Sequence, residues 1–231
     1  GVVVQAINCG LLAGGTITIN PSSFTNQGSL EVSNSETLDV HNTWTNASTI
    51  AVVGATLNLG NASNAWSNTG TISATSATVN LGGQFTTAGL GTFHRTGGVV
   101  NLTGTLDNTG ATLTLDATTG SWNQVGGTLK GGTLSTADGA RLIFTSSGGT
   151  LEGVTANADL DLASNSGARV YVVNGLTLNG TAWLGNAAGT TYGGLYFRGT
   201  QTLAGTGSVV FGKSGSNSWG PTTRPLLTPR R

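Results

Sequence analysis

From residue 24 to about residue 115, apolar and polar positions alternate with a period of two, in runs of only four or five residues. One set of runs places Leu30/Val32, Ile50/Val52 and Ile72/Ala74 on one side, and Leu113/Leu115 are expected to join that column. In a second set, "TLDV", "TLNL", "TVNL" and "VVNL" put Leu38/Val40, Leu57/Leu59, Val79/Leu81 and Val100/Leu102 on one side. Their other side shows Thr37/Asp39, Thr56/Asn58, Thr78/Asn80 and Val99/Asn101. Such alternation predicts β-strands with one buried face and one wet face. No stretch of about ten residues carries a 3.6-residue apolar stripe free of glycine or β-branched breaks, so no helix is expected among these copies.

The runs belong to a repeat. Each copy opens on Phe24, Trp44, Trp66, Phe85 or Leu106, spaced by 20, 22, 19 and 21 residues. Two positions later stand Asn26, Asn46, Asn68, Thr87 and Asn108, and two further on Gly28, Ser48, Gly70, Gly89 and Gly110. Asn and Gly tolerate left-handed backbone angles, so a corner is expected at this point of every copy. An antiparallel sandwich would use the same strands without requiring the same residues at the same phase. A parallel β-helix requires it, because each copy forms one coil about 4.8 Å from the next and equivalent side chains stack.

The expected fold is therefore all-β, a parallel β-helix or β-solenoid of about nine or ten coils with a period of about 20–25 residues, a rod about 45 Å long. Its internal ladders are expected from Phe24, Trp44, Trp66 and Phe85, from Asn26, Asn46, Asn68 and Asn108, and from Leu38, Leu57, Val79 and Val100. After about residue 120 the period loosens. "GARLIF" and "GARVYV" begin 28 residues apart at Gly139 and Gly167, and "LTLNG", "GGLYF", "TQTLAG" and "SVVFG" keep the rhythm of strand and glycine. Residues 1–23 are read as a strand leading into the solenoid, 24–212 as the β-helix, and 213–231 as an irregular tail containing proline and arginine.

Composition changes the picture in three ways. Only 8% of residues are charged, nine basic against nine acidic, so no basic field exists to attract nucleic acid. The 38 glycines lack a collagen period, and 37% apolar residues in short alternating runs argue against a disordered linker. The single cysteine, Cys9, allows no internal disulfide and is read as a small buried residue near the first strand. No run of about 18 apolar residues is present to cross a membrane as a helix. The opening "GVVVQAINCGLLAGG" lacks the basic flank of a signal peptide, which leads to the expectation of an internal or processed piece of a longer protein.

Candidate chemistry is sparse. Within "EGVTANADLDLASNSGAR", Asp159 and Asp161 share a strand face, and Glu152 and Arg169 are placed as their neighbours. That is the one candidate for the carboxylate pair of a glycosidase or the cluster of a lyase, against the plainer reading of a solvated strand face. His41 and His94 fall in different coils without metal-ligand spacing, no GxSxG elbow accompanies them, and Asp39, Asp107 and Asp116 are scattered. No catalytic residue, metal or cofactor is expected. Trp44 and Trp66 share a position with Leu106, which marks packing, whereas Trp122, Trp183, Tyr192 and Trp219 lie outside that column and are the better places for a sugar contact. The Thr/Asn face resembles an ice-ordering hydroxyl array, but its second member is Asn or Asp and Val99 interrupts it.

With its copies aligned, the chain resembles the β-strand-repeat surface proteins of bacteria, the filamentous-haemagglutinin-like adhesins and autotransporter passengers. The likeness rests on "FTNQGSLEV", "TLNLGN", "VVNLTGTLDNTG", "TSSGGTLEGV", "NGLTLNGTAWLGN" and "FRGTQTLAGTGSVVFG", across most of residues 24 to 212. The resemblance implies a right-handed coil, export to the cell surface or medium, and a role as rod, spacer or adhesin. Its implied partners are a host-surface or glycan ligand, or further copies joined end to end. It carries over no catalytic residue. The alternatives are a carbohydrate-active β-helix enzyme at Asp159, Asp161 and Arg169, or a solenoid that binds glycan or ice without catalysis.

Overall fold

A strand four residues long cannot hold itself together, and each one here is completed by its equivalent one copy later. Leu38 lies opposite Leu57, Leu57 opposite Val79, and Val79 opposite Val100, all in parallel register. The computed structural model describes residues 3–6, 14–61 and 63–221. Within them the chain is a β-solenoid of about nine turns with three parallel faces.

The B face runs the whole length and contains ten strands: Thr16–Ile19, Thr37–Val40, Thr56–Leu59, Thr78–Leu81, Val99–Leu102, Trp122–Gln124, Leu142–Phe144, Leu160–Leu162, Thr181–Leu184 and Ser208–Phe211. Nine steps of about 4.8 Å make this face about 43 Å long. The C face carries the residues that open each copy, from Ser23–Asn26, Thr43–Asn46 and Trp66–Asn68 through Gln84–Thr86, Thr105–Asp107 and Thr128–Lys130. The A face pairs Val3–Ala6, Ser29–Ser33, Thr49–Val53, Thr71–Thr75 and Thr92–Thr96. Inward residues of all three faces form one core extending from Leu30 to Leu195. Each fully buried Leu, Val or Ile in it is worth about 1.5–3 kcal/mol.

The aromatic column is a true stack. Trp44 and Trp66 lie 4.9 Å apart and 3° from parallel, and Trp66 and Phe85 follow at 4.5 Å. Phe24, in register with Trp44, closes the column as a half-buried member.

The asparagines hold the corner by a different means from the expected one. None of Asn26, Asn46 and Asn68 has a left-handed backbone; all three are buried. Asn26 Oδ1 accepts from the N–H of Gly28, Asn46 Oδ1 from Ser48, and Asn68 Oδ1 from Gly70. Each Asn thus closes its own two-residue turn. That leaves Nδ2 to donate along the axis, from Asn26 to Asn46 Oδ1 and from Asn46 to Asn68 Oδ1, each at 2.7 Å, and from Asn68 to the Leu90 carbonyl at 2.8 Å. Asparagine is required because its amide reaches its own turn and still has a donor for the next copy. Left-handed residues occupy the next corner instead, at Asn34, Ser35, Gly54, Ser76, Gly97 and Gly98.

The ladder is interrupted where Thr87 replaces Asn. Residues Thr87–Leu90 form one helical turn, N-capped by Thr86, which corrects the expectation of no helix in the copies. The Thr87 hydroxyl still donates to Asn108 Oδ1 at 2.6 Å. Beyond Asn108 glycine takes over the corner: Gly131, Gly132, Gly153 and Gly175 all have positive φ. A Cβ on Gly132 would lie 1.9 Å from the Asn108 carbonyl oxygen, so no other residue fits there. The C and A strands then merge into the long Thr150–Asn157 and Ala168–Leu178, paired with a register irregularity between Glu152 and Val154.

Leu113 and Leu115 are buried but do not continue the Leu30 column. Their strand, Thr112–Leu115, pairs forward with Thr133–Thr136 and not back with Thr92–Thr96. The column's next member is Phe93, opposite Ile72. Paired strands also extend beyond both expected boundaries of the solenoid: Val3–Ala6 and Thr16–Ile19 precede residue 24, and Ser218–Pro221 pairs with Gly193–Phe197 inside the expected tail. Cys9 and residues 222–231 lie outside the described residues.

Asn46→Ala removes both axial bonds and the bond that closes the Ser48 turn, leaving Asn26 Nδ2 only the Thr49 carbonyl and Asn68 Oδ1 only the Gly70 N–H, so unfolding free energy in urea is expected to fall by about 2–4 kcal/mol. Asn80→Ala, on the half-buried outer side where water replaces the lost partner, is expected to cost less than about 1 kcal/mol.

Candidate functional site

The outer side of the B face begins as a second amide ladder. Asn58 donates to Asp39, Asn80 to Asn58, Asn101 to Asn80 and Asn123 to Asn101, at 2.6, 2.6, 2.8 and 3.1 Å. It runs in the opposite direction to the buried ladder, because the Asp39 carboxylate at its start only accepts. After Asn123 the column stops repeating. The residues in register become Ile143, Asp161, Trp183 and Val210.

This change opens a groove of about 660 Å³, whose lining includes Arg141, Asp159, Asp161, Ser164, Trp183 and Asn186. Alternation sends Leu160 and Leu162 into the core, and Asp159 and Asp161 therefore face outward as expected. Asp159 accepts from the Thr181 N–H at 2.7 Å and from Trp183 Nε1 at 3.1 Å. Asp161 is buried against the sheet. Its oxygens accept from Ala163 N, Ser164 N and Ser164 Oγ at 3.0, 2.8 and 2.6 Å, and Arg141 Nη1 lies 3.5 Å away. Burial alone would raise the Asp161 carboxyl, but the Ser164 hydroxyl, the two backbone N–H groups and Arg141 outweigh it and hold it below the usual carboxylate value. Asp161 is an ionised acceptor that fastens the turn after Leu162, which does not suit a proton donor.

Arg169 does not join the pair. It lies on the long Ala168–Leu178 strand of another face, where its guanidinium donates to the Ser146 carbonyl. Glu152 is also on that sheet and accepts from Asn174. The cation beside Asp161 is Arg141, which sequence spacing did not single out although "GARLIF" stands one coil before "DLDL".

Among the other candidates, Trp122 is 0% exposed, in register with Val100 and Leu142, and meets Phe93 edge-on, so it is core and offers no sugar contact. Trp183, Tyr192 and Trp219 are 42%, 44% and 51% exposed. His94 is on the outer side of the A face, and His41 follows the B strand Thr37–Val40 in another coil. Asp107 faces Lys130 at 3.6 Å, and its carboxyl is held low by Thr109 and that lysine. Asp116 is held low by the N–H groups of Thr119 and Thr118, which it caps. Among the described residues, no three His, Cys, Asp or Glu side chains stand together in a metal-holding arrangement, and no helix is long and apolar enough to cross a membrane.

The geometry defines the class as a parallel β-solenoid of repeated coils. No protein-family model matches the chain, and no curated protein or solved structure matches it significantly.

Because the folded-state value of Asp161 is depressed, its stabilisation is full above the ordinary carboxylate value of 3.8 and is lost as pH falls through the lower folded value. Asp161→Asn is therefore expected to lower stability by about 1–3 kcal/mol at pH 7. Melting temperatures measured from pH 7 to pH 2 should show the gap to wild type narrowing only below about pH 4.

Proposed function

We propose that the chain is a structural segment of a larger exported bacterial protein, a non-catalytic rod or spacer that also serves adhesion. The observation that carries this reading is the continuity of the ladders. Side chains of neighbouring coils spend their hydrogen-bonding capacity on one another, inside at Asn26, Asn46 and Asn68 and outside from Asp39 to Asn123. A surface so occupied favours rigidity over chemistry. The groove beside Trp183 agrees, since Asp161 is already engaged by Ser164, Ala163 and Arg141.

Export to the surface and adhesion rest on the resemblance of the repeat phrases to surface β-strand-repeat proteins. End-to-end stacking has a physical motive. Leu203, Phe211 and Trp219 are in register with the buried Leu176, Leu184 and Leu195, yet they are 37%, 50% and 51% exposed. A further coil, from a longer parent or from a second copy, would cover that apolar layer.

Immunogold labelling with antibody to the chain is expected on intact, unpermeabilised cells, along rods or filaments visible by electron microscopy. The purified chain is expected to release neither reducing ends nor unsaturated products from a panel of polysaccharides. Labelling confined to the cytoplasm, or sugar release, would overturn the proposal.

A further inference from the structure

We infer that the B-face groove around Trp183 binds a neutral oligosaccharide. The binding site goes beyond the rod assigned above and does not depend on where the protein is exported. Trp183 stands in a column that is hydrophilic or aliphatic in every earlier coil, so packing does not require an indole there. It is 42% exposed, and its Nε1 donates to Asp159 Oδ2, which lies one coil earlier and two residues back in register. The hydrogen bond tethers the Nε1 edge of the ring. A large apolar surface is thereby held in place before any ligand arrives, and little entropy remains to be lost on binding.

The groups around it suit hydroxyls. Asp159 uses one lone pair of each oxygen on Thr181 and Trp183 and keeps acceptor capacity on both. Arg141, with a side chain 62% exposed, turns Nη1 to Asp161 and has further N–H donors directed elsewhere. A pyranose ring has an apolar C–H face and a rim of hydroxyls that both donate and accept. An indole flanked by a fixed acceptor, Asp159, and by the exposed guanidinium of Arg141 matches both features, within a groove of about 660 Å³. The charge balance selects among sugars. Two carboxylates, Asp159 and Asp161, face one guanidinium, and that guanidinium is already paired, so uronic acids and sulfated sugars meet net negative charge.

The test is calorimetric titration of the whole chain with cellohexaose and mannohexaose, with hexagalacturonate as the acidic comparator, at 50 mM and 500 mM salt. Binding of at least one neutral hexasaccharide is expected, unchanged between the two salt concentrations. Trp183→Ala is expected to weaken it at least about tenfold, Trp183→Phe less, and Trp219→Ala not at all. Circular dichroism of each variant should match wild type, because both tryptophans are exposed. No binding of either neutral probe, binding that survives Trp183→Ala, or binding of the acidic probe alone with loss at 500 mM salt would each overturn the site. Failure of any of these leaves the rod reading standing, since that reading fails on cytoplasmic labelling or sugar release.

Discussion

The constraint on which the rest of this molecule depends is that every side chain must tolerate its own copy at strand spacing, about 4.8 Å away. Apolar residues satisfy it by packing, as Leu38, Leu57, Val79 and Val100 do. Aromatic rings satisfy it by stacking face to face, as Trp44 and Trp66 do. Amides satisfy it because each carries a donor and an acceptor, so that one Asn completes the next. Charged groups fail it. Two like charges at 4 Å cost about 1 kcal/mol even in bulk water and several times that near a protein surface. A chain with 8% charged residues is the compositional result. Asp39 shows the exception permitted: one carboxylate at the end of an amide column, where it accepts and nothing like-charged follows.

The same constraint decides what could be read from the sequence. The strand columns and the aromatic stack were legible because stacking forces identity of residue type at a fixed phase, and phase is visible without coordinates. The corner asparagines were legible in position but not in mechanism. A left-handed backbone and a side chain that closes its own turn select the same residue, and only the φ angles and the Gly28, Ser48 and Gly70 donors separate them. Phe93 was missed because the inserted turn Thr87–Leu90 moved it off the phase of Ile72, while the ladder still found it. Trp122 looked like a surface residue because it lies outside the aromatic column of Trp44 and Trp66, yet it continues the column of Leu38, Leu57, Val79 and Val100, which period-two alternation had already turned inward.

The loosening of the period after about residue 120 also has a physical cause. An amide ladder needs Asn in every coil, so it ends when the side chain is lost once or twice. Thr87 patches it with a hydroxyl, and Asn108 closes it by donating to the Gly131 and Thr133 carbonyls. From there the turn is built by backbone conformation at Gly131, Gly132, Gly153 and Gly175. A glycine corner makes no demand on the side chain above or below. Coil length is then free to vary: in register, Leu142 and Leu160 stand 18 residues apart, Leu160 and Ala182 22, and Ala182 and Val209 27, whereas "GARLIF" and "GARVYV" fall on different faces and their spacing of 28 spans no single coil.

Relaxed repetition is also what lets unlike side chains meet. While Asn58, Asn80, Asn101 and Asn123 occupy one column, their amides pair along it, and each coil offers outward the same spare N–H and lone pair. Once the column reads Ile143, Asp161, Trp183, Val210, no member can complete its neighbour, and the two polar members bond to groups outside the column. Asp161 finds Ser164 and Arg141, and Trp183 finds Asp159. These bonds hold carboxylate acceptors and an indole in place around a groove. A repeat built by self-recognition thus brings unlike groups together on one surface only where the copying lapses. The candidate site residues were accordingly hard to assemble from sequence, since Arg141 and Asp159 are joined by a coil rather than by any spacing the repeat would reveal.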